Sequence, residues 1–130
     1  MKYVKVLIVL AVLGAYPAVA LAHRAPTKHQ RTSLVRATDS YLHEQIPGQC
    51  LREKISTPDT SWAEVGFAPG PNGHLPVICA KFAADGVILF HFHAGQWHFK
   101  GAGSDFRNGN GSCALTKTVP RKVINDFKLC

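Results

Sequence analysis

The chain is short of acid, with 8 Asp and Glu against 15 Lys and Arg in 130 residues. It carries a single Met and no Cys-x-x-Cys pair. Without paired cysteine spacing, a structural zinc site on thiolates is not indicated. The glycine pairs Gly101-x-Gly103 and Gly109-x-Gly111 do not lead a strand into a helix with dinucleotide spacing, so they read as turn glycines. No internal repeat is present. Beyond the first 22 residues no apolar stretch approaches the roughly 20 residues that a membrane crossing requires.

The one long apolar run, Val6 to Ala15, follows Lys2 and Lys5 and precedes Pro17 and the small residues of Ala20-Leu21-Ala22. This is the pattern of a secretory signal peptide over residues 1–22, cut before His23. No cysteine near the cut offers a lipid acceptor. Removal of Lys2 and Lys5 lowers the net charge from +7 to +5. Arg24, Lys28, Arg31 and Arg36 supply most of that excess, with no acid among residues 23–36. Residues 23–32, interrupted by Pro26, read as a basic flexible arm. The four cations are candidate contacts for an anionic cell-envelope polymer, each salt-sensitive.

Residues 33–130 read as a single α+β domain stapled by disulfides: an N-terminal helix, a four- to five-stranded antiparallel meander sheet and a short C-terminal helix. All four cysteines, Cys50, Cys79, Cys113 and Cys130, lie in this part. An even count in a small exported chain implies a disulfide framework with three possible pairings. Cys113 with Cys130 and Cys50 with Cys79 is preferred. The first would clip the last helix to the sheet, the second tie the first strand to the middle one.

The helix is expected from Ser33 as its cap, with Leu34, Ala37, Tyr41, Leu42 and Ile46 on its apolar side and Pro47-Gly48 ending it. Strands are expected over Cys50–Ser56, Trp62–Ala68 and Val77–Ala84, and Asp85-Gly86 is a type I′ turn signal into Val87–Phe92. That turn would pair Phe82 with Leu89. Neither face of strand 87–92 would then be purely polar, which means that both its sides are covered or that a bulge shifts the register. Val119-Pro120 opens a helix that buries Val123, Ile124 and Phe127.

The richest stretch is Asp85–Lys100, a hairpin closed by Ala94-Gly95. In that register His93 faces Gln96, Phe92 faces Trp97, His91 faces His98 and Phe90 faces Phe99. Phe90, Phe92, Trp97 and Phe99 form one face and read as core. His91, His93 and His98 share the other, where neutral imidazoles within reach of one another suit Zn or Cu.

Taken together, Ile55-Ser56-Thr57-Pro58-Asp59-Thr60-Ser61-Trp62-Ala63, Asp85-Gly86-Val87, Gly95-Gln96-Trp97, Gly101-Ala102-Gly103-Ser104 and Val119-Pro120 through Leu129-Cys130 carry a resemblance. Over about residues 50–130 the chain resembles small secreted actinobacterial proteins to which no activity is attached. The resemblance implies a fold and brings no known activity. The loop Asp105–Gly111 is longer here than in that pattern, and histidines are denser.

Three functions are weighed. The preferred one is a secreted or envelope-located, non-enzymatic binding or interaction module without a cofactor, meeting an anionic polymer or another protein. The second is an exported Zn- or Cu-binding protein using His91, His93 and His98. The third is a small basic ribonuclease with histidines and Glu64 as acid and base.

Overall fold

The computed structural model describes residues 23–67, 73–82 and 86–130. The expected signal segment, most of the loop after Phe67, and Asp85 of the expected turn lie outside the described residues. The elements run β1 (His23–Arg24), α1 (Lys28–Leu42), β2 (Leu51–Ser56), β3 (Trp62–Phe67), β4 (Val87–His93), β5 (Gln96–Gly103) and α2 (Arg121–Phe127). The five strands form one antiparallel meander in the order β1-β2-β3-β4-β5.

The helix starts earlier than its apolar stripe suggests. Thr27, not Ser33, is its cap. The Gln30 amide donates to Thr27 Oγ1 at 3.2 Å, and the Thr27 amide donates to Gln30 Oε1 at 3.0 Å. This reciprocal capping box satisfies two donors that a helix end otherwise leaves without partners. Pro26 sits just before it and interrupts nothing. Residues 23–32 are therefore built into the domain rather than forming a flexible arm, with His23 and Arg24 paired to Ser56 and Ile55. The helix also ends earlier, at Leu42. His43 turns left-handed (φ 55°) and Asp39 Oδ1 accepts the Ile46 amide at 2.9 Å, so Ile46 is buried from the following loop.

Strand alternation sends Ala63 and Val65 to one face of β3 and Trp62 and Glu64 to the other. Helix α1 covers the first face, burying its Leu34 in one core with Ile55, Val65, Ile88, Phe90 and Trp97. Helix α2 covers part of the second, with Trp62, Leu89, Leu115, Val123, Ile124 and Phe127. Strand β4 thus contributes Ile88 and Phe90 to one core and Leu89 to the other. Its mixed pattern comes from cover on both sides; the expected pairing of Phe82 with Leu89 does not form, and the two lie in different cores. A register shift occurs instead in the pairing with β5, where Leu89 faces Gly101 while Phe90 faces Phe99.

The expected strand Val77–Ala84 is not formed over its described residues. Val77–Phe82 is a 3₁₀ turn, and β3 pairs directly with β4. Cys79 is pinned to Cys50 and Phe82 is buried under the α1 side, while Val77 is 94% exposed. Local β propensity yields here to the disulfide anchor. The pairings Cys50–Cys79 and Cys113–Cys130 are those preferred from the sequence. The first, however, joins a 3₁₀ turn at Gly48–Cys50 to the one at Val77–Phe82 rather than two strands.

Glu53 on β2 is buried beneath α1, where Arg31 Nε reaches its Oε2 at 3.4 Å. Burial raises its carboxyl above the ordinary range, outweighing the lowering by the Arg31 charge. Its Oε1 has no hydrogen-bond partner among the described residues. On the other face, Lys122 of α2 reaches Pro58 O at 3.2 Å and Asp59 Oδ2 at 3.4 Å, tying that helix to the β2–β3 turn.

Candidate functional site

The β4–β5 hairpin positions nearly everything that could carry chemistry. Ala94 (φ 50°) and Gly95 (φ 79°) are both left-handed, as a type I′ turn requires, and the four pairs from His93/Gln96 to Phe90/Phe99 match the expected register. The aromatic face is only half core. Phe90 and Trp97 are buried under α1, whereas Phe92 and Phe99 are 41% and 44% exposed because the helix does not extend over them fully.

His91, His93 and His98 do share a face, next to Trp62. Their rings form stacks. His91 lies on Trp62 with ring centroids 4.5 Å apart, and His93 lies on His98 at 3.8 Å with an interplanar angle of 14°. Ring nitrogens lie in the ring plane, so a parallel pair does not aim both at a point between the rings. His98 Nε2 is 3.2 Å from the His93 carbonyl. Among the described residues no group of three or more His, Cys, Asp or Glu side chains is placed to hold a metal ion. Glu64 lies on the same face but opposite Leu89, is buried, and pairs with Lys54 at 3.1 Å.

The stack does affect proton binding. Partial loss of water, then the charges of His98, His91 and Lys100, lower the His93 pKa below the ordinary imidazole value. The unfolded chain therefore takes up this proton first. Stability should be lost as pH falls through about 6.5 toward the folded value. The urea midpoint should drop between pH 7.5 and 5.5, and by less in His93→Gln. An equal drop in both proteins would show that the stack does not contribute.

The four basic candidates separate into two kinds. Arg24 Nη1 lies near Ala25 O and Gln30 Oε1 (3.4 and 3.5 Å), and Arg31 holds Glu53 and donates to Gly48 O at 3.2 Å. Lys28 and Arg36 have no carboxylate partner among the described residues. With His29, Thr32 and Ser33 they line a shallow hollow of about 430 Å³ on α1.

A larger cleft, about 630 Å³, lies between α1 and β5. Its helix wall is Ser33, Arg36, Ala37, Ser40 and Tyr41, and its other wall is the run Gly95–Phe99, with Phe90 below. The Trp97 indole N–H donates to Ser33 Oγ at 3.0 Å, and Tyr41 stacks on Phe99 at 4.1 Å, so the aromatic walls are fixed in place. Arg36 lines both the cleft and the basic hollow.

No family model, curated protein or solved structure matches this chain.

Of the cleft residues, sequence singles out Arg36 and His98, each for a different role, while Trp97, Phe99 and Tyr41 read as core. The available signal was the helical spacing of Ser33, Arg36 and Ser40, a polar stripe beside the apolar positions Ala37 and Tyr41. Among the described residues no helix is long and apolar enough to cross a membrane.

Proposed function

We propose that this chain is an exported, non-enzymatic binding module that meets an anionic partner through the cleft between α1 and β5. The observation that carries this reading is the position of Arg36, shared between an aromatic-walled cleft and a basic hollow that also contains Lys28. A cation without a carboxylate partner beside exposed aromatic edges gives a ligand both charge and contact area. Export is supported by the lysine-flanked apolar run Val6–Ala15 and by two disulfides, which persist in oxidising compartments.

The test uses the protein from His23 onward, titrated with poly-glutamate and with dextran sulfate and followed by tryptophan fluorescence. Binding of at least one polyanion is expected, weakening about tenfold between ~50 and ~200 mM salt, as two displaced counterions require. Arg36→Glu and Lys28→Glu should each weaken it further. Absence of binding to both polymers at low salt, or binding indifferent to both substitutions, would remove the reading.

A further inference from the structure

Strand β5 is the last strand of the sheet, and no described strand lies beyond it. Five consecutive residues, Gly95–Phe99, line the cleft. Gly95 belongs to the turn; the other four are consecutive strand residues whose side chains point to opposite faces, so what they present in common is the backbone edge. The hairpin geometry says which groups are free there. A two-residue turn is flanked by a pair that exchanges both backbone hydrogen bonds, here His93 with Gln96, and such pairs alternate along the ladder. His91 and His98 are then the next bonded pair, and Phe92 and Trp97 are a non-bonded one. The Phe92 amide agrees, since it points away from β5 and donates to Ser61 O at 2.7 Å. By the same alternation the N–H and C=O of Trp97 and Phe99 point out into the cleft, giving two donors and two acceptors in strand spacing.

Resting on the binding role above and naming its ligand class, we propose that the cleft takes an extended acidic polypeptide segment, which adds as a sixth strand along Trp97–Phe99. The backbone ladder supplies affinity that does not depend on peptide sequence, and Arg36 on the facing helix wall pairs with a carboxylate side chain. The bulge comes only after Phe99, so the edge next to the turn stays regular. A second copy of this chain is the poorer occupant. Edge-to-edge pairing would bring Lys28 and Arg36 of both copies to one seam, whereas an acidic peptide complements them.

The probe is a blocked hexapeptide of alternating glutamate and valine, compared with a twin N-methylated at every residue, which keeps charge and side chains but has no amide donors. The parent peptide should bind, and the twin should bind at least about tenfold more weakly. In the complex the amide hydrogens of Trp97 and Phe99 should gain exchange protection, while those of Gln96 and His98, already bonded to β4, should not change. Equal binding of the twin would overturn strand addition and leave the anionic-partner reading intact. Failure of the parent peptide while dextran sulfate still binds would do the same, and failure of every polyanion would remove both. Dimers in sedimentation at low salt that the peptide does not dissociate would likewise overturn the proposal, since the edge would be closed by a second copy.

Discussion

Phe90→Ala should lower the free energy of unfolding by about 3–5 kcal/mol, the cost of deleting a phenylalanine ring from a packed core. Phe90 is 1% exposed at the middle of β4, opposite Ala63 on one side and Phe99 on the other, and it lies in the core beneath α1 with Leu34 and Trp97. These neighbours belong to three elements, so they cannot all close on the void at once. Phe92→Ala is the control. That ring is on the same strand face but 41% exposed, with an edge contact to Trp97 at 5.1 Å, and its loss should cost no more than about 1.5 kcal/mol. Urea unfolding of both variants checks the pair. A Phe90 effect as small as that of Phe92 would mean that α1 does not seal the hairpin. Phe90→Ala would also deepen the cleft, whose floor this ring forms.

Gly86→Ala should be nearly as damaging, at about 3–5 kcal/mol. Gly86 enters β4 with φ of 99°, a backbone conformation that costs a residue with a β-carbon of order 1–3 kcal/mol. The added carbon would also run into the carbonyl of Gly103 and the amide of Ser104, which are backbone atoms that cannot swing aside. Gly66→Ala, on the neighbouring strand, would place its carbon at ordinary contact distance, 3.6 Å from the Val87 side chain and 3.7 Å from the Gly86 carbonyl oxygen, and has no positive φ. It should stay within about 1 kcal/mol. Thermal melts of the two alanine variants should therefore lie well apart. Coincident melts would contradict the tight passage between Gly86 and Gly103.

Much of this fold is local enough to be read from the chain. Ala94-Gly95 sets a register that places four cross-strand pairs, and Val119-Pro120 announces α2 with its buried Val123, Ile124 and Phe127. The start of α1 was legible too, in the Thr27-x-x-Gln30 box, but Pro26 and the density of cations point toward a tail when composition is weighed first. Val77–Phe82 shows the opposite failure. Its strand-forming residues are overruled by the bond from Cys79 to Cys50, a constraint 29 residues away in sequence. The candidate site is hidden for a different reason. Whether Trp97, Tyr41 and Phe99 are core or cleft depends on how far α1 sits from the sheet edge, and that distance is a tertiary quantity no periodicity encodes. The three histidines show the limit of register alone. They do share a face, yet His91 stacks on Trp62 and His93 on His98.

Strand addition rests on an open β5 edge beside α1, and amide hydrogen exchange on the ligand-free protein tests that edge directly. Gln96 and His98, bonded to β4, should exchange slowly, by at least about two orders of magnitude relative to Trp97 and Phe99, whose amides face the cleft. Equal and strong protection of all four would mean that something already occupies the edge, and no sixth strand could add along Trp97–Phe99.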